Sequence, residues 1–257
     1  MTVKDIYNYL DEIAPFKNQM QGDNSRITTG DPNAEVKKVL VCLDVTNDVV
    51  SESVDKGCNL IIAHHPLLYR QAKKIMNDDP LHALIRNNIN LISIHTNLDV
   101  APGGITDQML VALGLPNSDK VIAPINADGT GFGKISILDK PLDAKELAER
   151  CKKVFNCSVV RYIDGKKPIT KIGVGSGNCS ELVEPAIDAG CDAFICGDIK
   201  NDVMILAFNS GFTLIDAGHF HTEDIFCSDM VKCLKGRFPD IAAEKAENSI
   251  DVCSYCY

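Results

Sequence analysis

Along most of this 257-residue chain, short apolar runs rich in valine and isoleucine alternate with helical stretches. That alternation constrains the fold more than any other feature. VKKVLVCLDV (36–45), CNLIIAHH (58–65) and INLISIH (89–95) have the near-continuous apolar character of strands buried on both faces. Between them, Thr46 is placed to cap a helix running to about Lys56, and residues from about Pro80 to Asn87 read as another. Gly103-Gly104 breaks the chain before a helix over 105–113, which Gly114 ends.

A second series follows a connector at 116–131 that is poor in periodic signal. FGKISIL (132–138), SVVRYI (158–163) and ITKIGVG (169–175) read as strands, with a strongly amphipathic helix over 142–155. Helices at 179–189, 199–209 and from about Thr222 alternate with strands at 192–196 and 212–215. One further short strand is expected near 250–253. Strands separated by helices imply β–α–β units. The expected architecture is α/β, with two lobes of parallel or mixed sheet flanked by helices. Residues 1–125 form the first lobe and 126–257 the second, with the C-terminal segment packing back on the first.

The formal net charge of -9 disfavours a phosphate backbone, so no nucleic-acid partner is expected. No segment approaches the roughly 20 apolar residues of a membrane helix. The N-terminal stretch MTVKDIYNYLDEIAPF is an amphipathic helix pattern without the charged start and apolar middle of a signal peptide. A cytoplasmic location, with no membrane partner, is the resulting expectation. The eleven cysteines are an odd number, and several sit inside apolar runs, as reduced buried thiols do. Cys253 and Cys256 form the one CxxC, which lacks the second pair or the nearby histidine of a structural zinc site.

Five of the six histidines fall at ends of these strands, where open sheets bind ligands. His64-His65 follows LIIA, and Pro66 stops the ladder there. Such a pair could ligate two metal ions, or simply hydrogen-bond at a strand end. His95-Thr96-Asn97-Leu98-Asp99 follows LISI. Asp99 is a hard oxygen donor able to bridge two cations, while His95 could be a ligand or orient one. The alternative for this segment is a turn before Pro102-Gly103-Gly104. Gly218-His219-Phe220-His221-Thr222-Glu223 follows TLIDA. A helix beginning there puts His219 and Glu223 on one face, whereas helix-start chemistry alone would also explain the acids. His221 points elsewhere, and His82 lies on a helix surface.

Mixed imidazole and carboxylate donors suit zinc, iron, manganese or nickel. Two such ions would activate water and clamp an oxyanion, with His95 or His221 as catalytic proton shuttle. Gly173–Asn178 matches neither the dinucleotide nor the P-loop spacing; its backbone N–H groups could hold a phosphate at a helix start, but a tight turn is the favoured reading. Lys200 could reach a substrate phosphate or remain solvated. No GxSxG is present.

VLVCLDVT with LIIAHHPLLY, then HTNLDVAPGG, ICGDIK and LIDAGHFHTE, occur in the order of the signatures of the Nif-three-like family, whose members are also called GTP cyclohydrolase 1 type 2 homologues. The chain resembles that family from about Asp23 to Glu223. The resemblance implies a dinuclear centre between the lobes, with His64, His65, Asp99, His219 and Glu223 as ligands of two divalent ions per subunit. It also implies a ring-shaped homohexamer. The implied activity is metal-dependent hydrolysis of a small molecule, a nucleotide or related compound. A metal-binding or regulatory assembly without turnover is the alternative. The sequence departs from the family in having no tryptophan, in keeping only part of the DN-x-G run at Asp23-Asn24-Ser25-Arg26, and in carrying Asn201-Asp202 where many members have a tyrosine–histidine pair.

Overall fold

The computed structural model describes residues 1–69 and 74–256. The chain divides into two compact units, Met1–Ala101 with Phe226–Ile250, and Pro102–Ile225 with the chain from Asp251 onward. The first unit opens with α1 (Val3–Ile13), β1 (Arg26–Thr29), β2 (Lys38–Cys42), α2 (Asn47–Asp55), β3 (Leu60–Ala63), α3 (Pro80–Arg86), β4 (Asn90–Ser93) and α4 (Thr96–Asp99). The second holds α5 (Ile105–Ala112), β5 (Val121–Pro124), β6 (Gly131–Leu142), α6 (Ala144–Val154), β7 (Arg161–Ile163) and β8 (Ile169–Asn178). It continues with α7 (Val183–Asp188), β9 (Ala193–Gly197), α8 (Asn201–Ser210), β10 (Thr213–Asp216) and α9 (His219–Glu223). The chain then returns to the first unit through α10 (Ile225–Arg237) and β11 (Ala242–Lys245).

The first unit's sheet has the order β1-β4-β3-β2-β11. All its pairs are parallel except β1 with β4. Every residue of β3 and β4 is buried, as expected of parallel strands covered on both faces. Their register decides what happens at the carboxyl edge. Cys42 pairs with Ala63 and Ala63 with Ser93, so the three strands end level. The residues just beyond them, Asp44, His64, His65 and His95, therefore emerge side by side.

The expected strand near 250–253 is replaced by β11, whose AAEK has little intrinsic β preference. Parallel pairing with β2 overrides that local signal. A buried carboxylate fixes the segment. Glu52 accepts the backbone N–H groups of Glu247 at 2.8 Å and Asn248 at 2.9 Å, and pairs with Lys56 at 2.8 Å. Ser249 Oγ accepts the Leu43 N–H at 3.0 Å.

The second unit's sheet is mixed, in the order β5-β6-β8-β9-β10-β7. β8, β9 and β10 run parallel, and the outer strands are antiparallel. Three local expectations change here. The connector at 116–131 contains β5, an edge strand too short to show periodicity. Gly173–Asn178 continues strand β8 instead of turning, because its glycines admit close neighbours: a Cβ on Gly173 would sit 2.6 Å from the Phe194 ring. The last helix starts at His219, three residues before Thr222, and a break after Glu223 separates α9 from α10. The units part at Ala101/Pro102, where the sequence pattern places the lobe boundary near 125, since α5 packs against β6 and β8. Among the described residues, no helix is long and apolar enough to cross a membrane.

Candidate metal centre

In the first unit the level strand ends gather three imidazoles. Ligand atoms of His64, His65 and His95 lie within 4.8 Å of one another. The ring centroids are 5.0 Å apart for His64 and His65 and 5.1 Å for His64 and His95. Asp99 ends α4, and its Oδ1 is 3.7 Å from His64 Nε2. His64 has no solvent exposure and rests against the Phe226 ring.

Each ring is held from behind. His64 Nδ1 donates to the Ile94 carbonyl at 2.8 Å. His65 Nδ1 donates to Asp44 at 2.7 Å and His95 Nδ1 to Asp23 at 2.9 Å. An imidazole donating from Nδ1 carries its lone pair on Nε2, the arrangement that metal-ligating histidines adopt. Asp23 is itself braced by Ser25 and by both the hydroxyl and the N–H of Thr96. Burial would raise its carboxyl, but hydrogen bonds from His95 and Thr96 outweigh that and hold it well below the usual carboxylate range.

The second unit repeats the pattern at the ends of β9 and β10. His219 Nδ1 donates to Asp198 at 2.8 Å, and His219 Nε2 faces Glu223 Oε2 at 3.0 Å. One turn of α9 puts both on the same face. Asp198 reaches this position with φ at 53°, in the left-handed region that aspartate tolerates better than most residues. Gly177 lines the same spot. A Cβ there would stand 2.0 Å from Glu223 Oε1 and 2.9 Å from His219 Nε2. Two acceptors 3.0 Å apart, a lone pair on Nε2 and a buried carboxylate, call for a cation or proton between them. The donor set therefore fits a divalent metal, and so does the His64–Asp99 pair.

Of the sequence candidates, His64, His65, His95 and Asp99 come together in the first unit, and His219 and Glu223 in the second. His221 faces Asp251 and meets the Phe220 ring edge-on. Lys200 precedes α8 and is exposed. Sequence reasoning assigned no role to Asp23, Asp44 and Asp198 behind the histidines. Asp44 and Asp198 lie just past strand ends, the same signal that singled out the histidines, and Asp23 lies in the partial DN run.

Comparison with known proteins places these residues in a wider setting. The model of the family described as Duf34/NIF3 (NGG1p interacting factor 3) matches residues 1–251. A GTP cyclohydrolase 1 type 2 homolog from Clostridium acetobutylicum is 35% identical over 243 residues, spanning 92% of this chain and 90% of its own length. One from Campylobacter jejuni is 32% identical, spanning 91% of this chain and 92% of its own. Among solved structures, a hypothetical protein of Staphylococcus aureus matches with a TM-score of 0.92 at 28% identity, covering 100% of this chain and 99% of its own. Reduced HcgD from Methanocaldococcus jannaschii matches with a TM-score of 0.83 at 25% identity, covering 96% and 98%.

Proposed function

Because the chain belongs to the Duf34/NIF3 family, we propose that it is a metal-dependent hydrolase whose two divalent ions are held by His64, His65, Asp99, His219 and Glu223. The observation that carries this reading is the backing of four imidazoles. His64, His65, His95 and His219 each commit Nδ1 to an acceptor, and carboxylates stand beside Nε2 of His64 and His219. Such backing fixes ring orientation and raises ligand basicity. The two-ion count and the homohexamer in this reading come from the resemblance to the family.

Bound metal would supply Lewis acidity toward a substrate oxygen and acidify a water. The protein's own groups do the rest. Asp99 and Glu223 concentrate negative charge where cations must sit. His95, tied to Asp23, is placed to carry a proton at Nε2. The names of the curated relatives favour a nucleotide or related heterocycle as substrate. The competing reading is a metal-holding protein without turnover, which the full burial of His64 favours. Metal-loaded protein assayed against nucleotides and phosphoesters, beside a chelator-stripped control, separates them. Hydrolysis that disappears on stripping and returns with metal supports the enzyme. Metal retention with no turnover on any of these compounds supports the holder.

A further inference from the structure

Asp216 is the last residue of β10 and is buried at the foot of the two loops that carry the second unit's half-site. β9 and β10 run parallel with Cys196 opposite Asp216, so residues 197–199 and 217–219 leave the sheet side by side. Gly197 lets the two loops touch. A Cβ there would stand 2.5 Å from the His219 backbone nitrogen and 2.6 Å from the Gly218 carbonyl carbon. The first loop carries Asp198 and the second leads into His219, whose Nδ1 donates to Asp198 at 2.8 Å.

Both oxygens of Asp216 join these loops. Oδ1 accepts the Gly218 N–H at 3.1 Å, and Oδ2 accepts the Ile199 N–H at 3.3 Å. Arg161 lies opposite Asp216 across the β7–β10 pair. Its Nη2 donates to Asp216 Oδ2 and, at 3.1 Å, to the Ile199 carbonyl. The guanidinium balances a charge that burial would otherwise make costly. Each loop is thus held beside its functional residue, since Ile199 follows Asp198 and Gly218 precedes His219. An asparagine could not do the same. Its one carbonyl oxygen would accept on one side while its NH2 faced an N–H donor on the other.

We propose that Asp216, braced by Arg161, is a positioning residue for the His219 half-site. It supplies no ligand atom, because both its oxygens are taken by N–H donors. It acts by fixing the loop of Asp198 against the loop of His219, so that the hydrogen bond between them aims the imidazole. The inference rests on the metal-centre reading for its purpose, since a metal needs His219 Nε2 aimed and not merely present. Loss of the Asp216 bonds leaves every donor in the chain but frees the ring to swing, and so costs affinity through orientation.

The test is a double-mutant cycle on zinc affinity, read by competition with a chromophoric chelator well below the melting temperature of each variant. Asp216→Asn is expected to weaken zinc binding about tenfold. Added to Asp198→Asn it should cost nothing further, because the link it acts through is already broken, whereas a merely structural role would give additive losses. In metal-free protein, Asp216→Asn should speed amide hydrogen exchange at Ile199 and Gly218 about tenfold, as loss of a hydrogen bond to a charged group does. Ala217, whose N–H donates to the Cys196 carbonyl at 2.9 Å, should exchange as before. Arg161→Gln alters a largely exposed side chain and should move both readouts the same way by less, and it decides the matter if Asp216→Asn does not fold. Unchanged exchange at both amides overturns the proposal. So does an additive cycle, or full zinc affinity in a folded variant whose Ile199 and Gly218 amides have been freed. Unaltered protein that takes up no zinc sinks the metal-centre reading and the purpose of Asp216 with it, a failure told apart from the others because the exchange measurement needs no metal.

Discussion

A histidine becomes a metal ligand through what stands behind it as much as through what stands before it. Removing the backing of His65 or His219 should therefore loosen metal without deleting a donor. Asp44→Asn and Asp198→Asn are each expected to weaken metal affinity about 10–100-fold, measured by competition with a chromophoric chelator. His219→Ala and Glu223→Gln, which remove the donors themselves, should each cost most of the bound metal. His221→Ala should keep it, because that ring faces Asp251. Thermal melts run beside these assays show whether a variant acts through misfolding. If His221→Ala empties the site and His219→Ala leaves it filled, the ligand assignment on α9 is wrong. At this scale the donors were legible because histidine is rare here, six residues in 257, and five of the six follow strands. The backing aspartates were not, because an aspartate after a strand reads equally as turn chemistry.

Elements position these residues through close approach. β8 passes so near α9 that Gly177 leaves no room for a side chain, and its φ of 54° already favours glycine. Gly177→Ala should displace Glu223 or His219, cut metal content sharply and cost about 1–3 kcal/mol of stability by thermal or urea unfolding. Wild-type metal content in that variant would contradict the account of this half-site. In the first unit, Glu52 on α2 holds the segment that follows β11. Burial alone would raise its carboxyl, but Lys56 and the Glu247 and Asn248 N–H groups together bring it below the usual glutamate range. A depressed folded value means that this stabilisation is present above the unfolded-state value and is lost as pH falls through the folded one. Glu52→Gln should thus cost about 2 kcal/mol near neutrality, and the gap from wild type should close in acid. A gap independent of pH would show that the charge of Glu52 does not hold the segment. α2 and β3 were readable because cap and apolar run agree. β5 and β11 were not, because four-residue strands carry too little pattern and take their conformation from a neighbour.

For the whole molecule, the alternation of strand and helix was enough to give the α/β class, while the path of the chain between units was not. Residues 226–250 join the first unit through long-range pairing of β11 with β2 and through Glu52, contacts that no local pattern announces. The cysteines add a test of the packing of both units. Eight are buried and only Cys233, Cys253 and Cys256 are exposed. Burial pushes the Cys157 and Cys191 thiols up to about 11, which keeps them protonated and slow to react. A thiol reagent should modify those three exposed residues in the folded protein and all eleven after denaturation. Early labelling of Cys42 or Cys196 would mean that the cores are open. The central claim, that backed histidines and two carboxylates form a dinuclear centre, is tested most directly by the metal-to-protein ratio. Protein purified without chelator, loaded with zinc, iron, manganese or nickel and then desalted, should retain about two ions per chain by elemental analysis; a ratio near zero with every metal would contradict it.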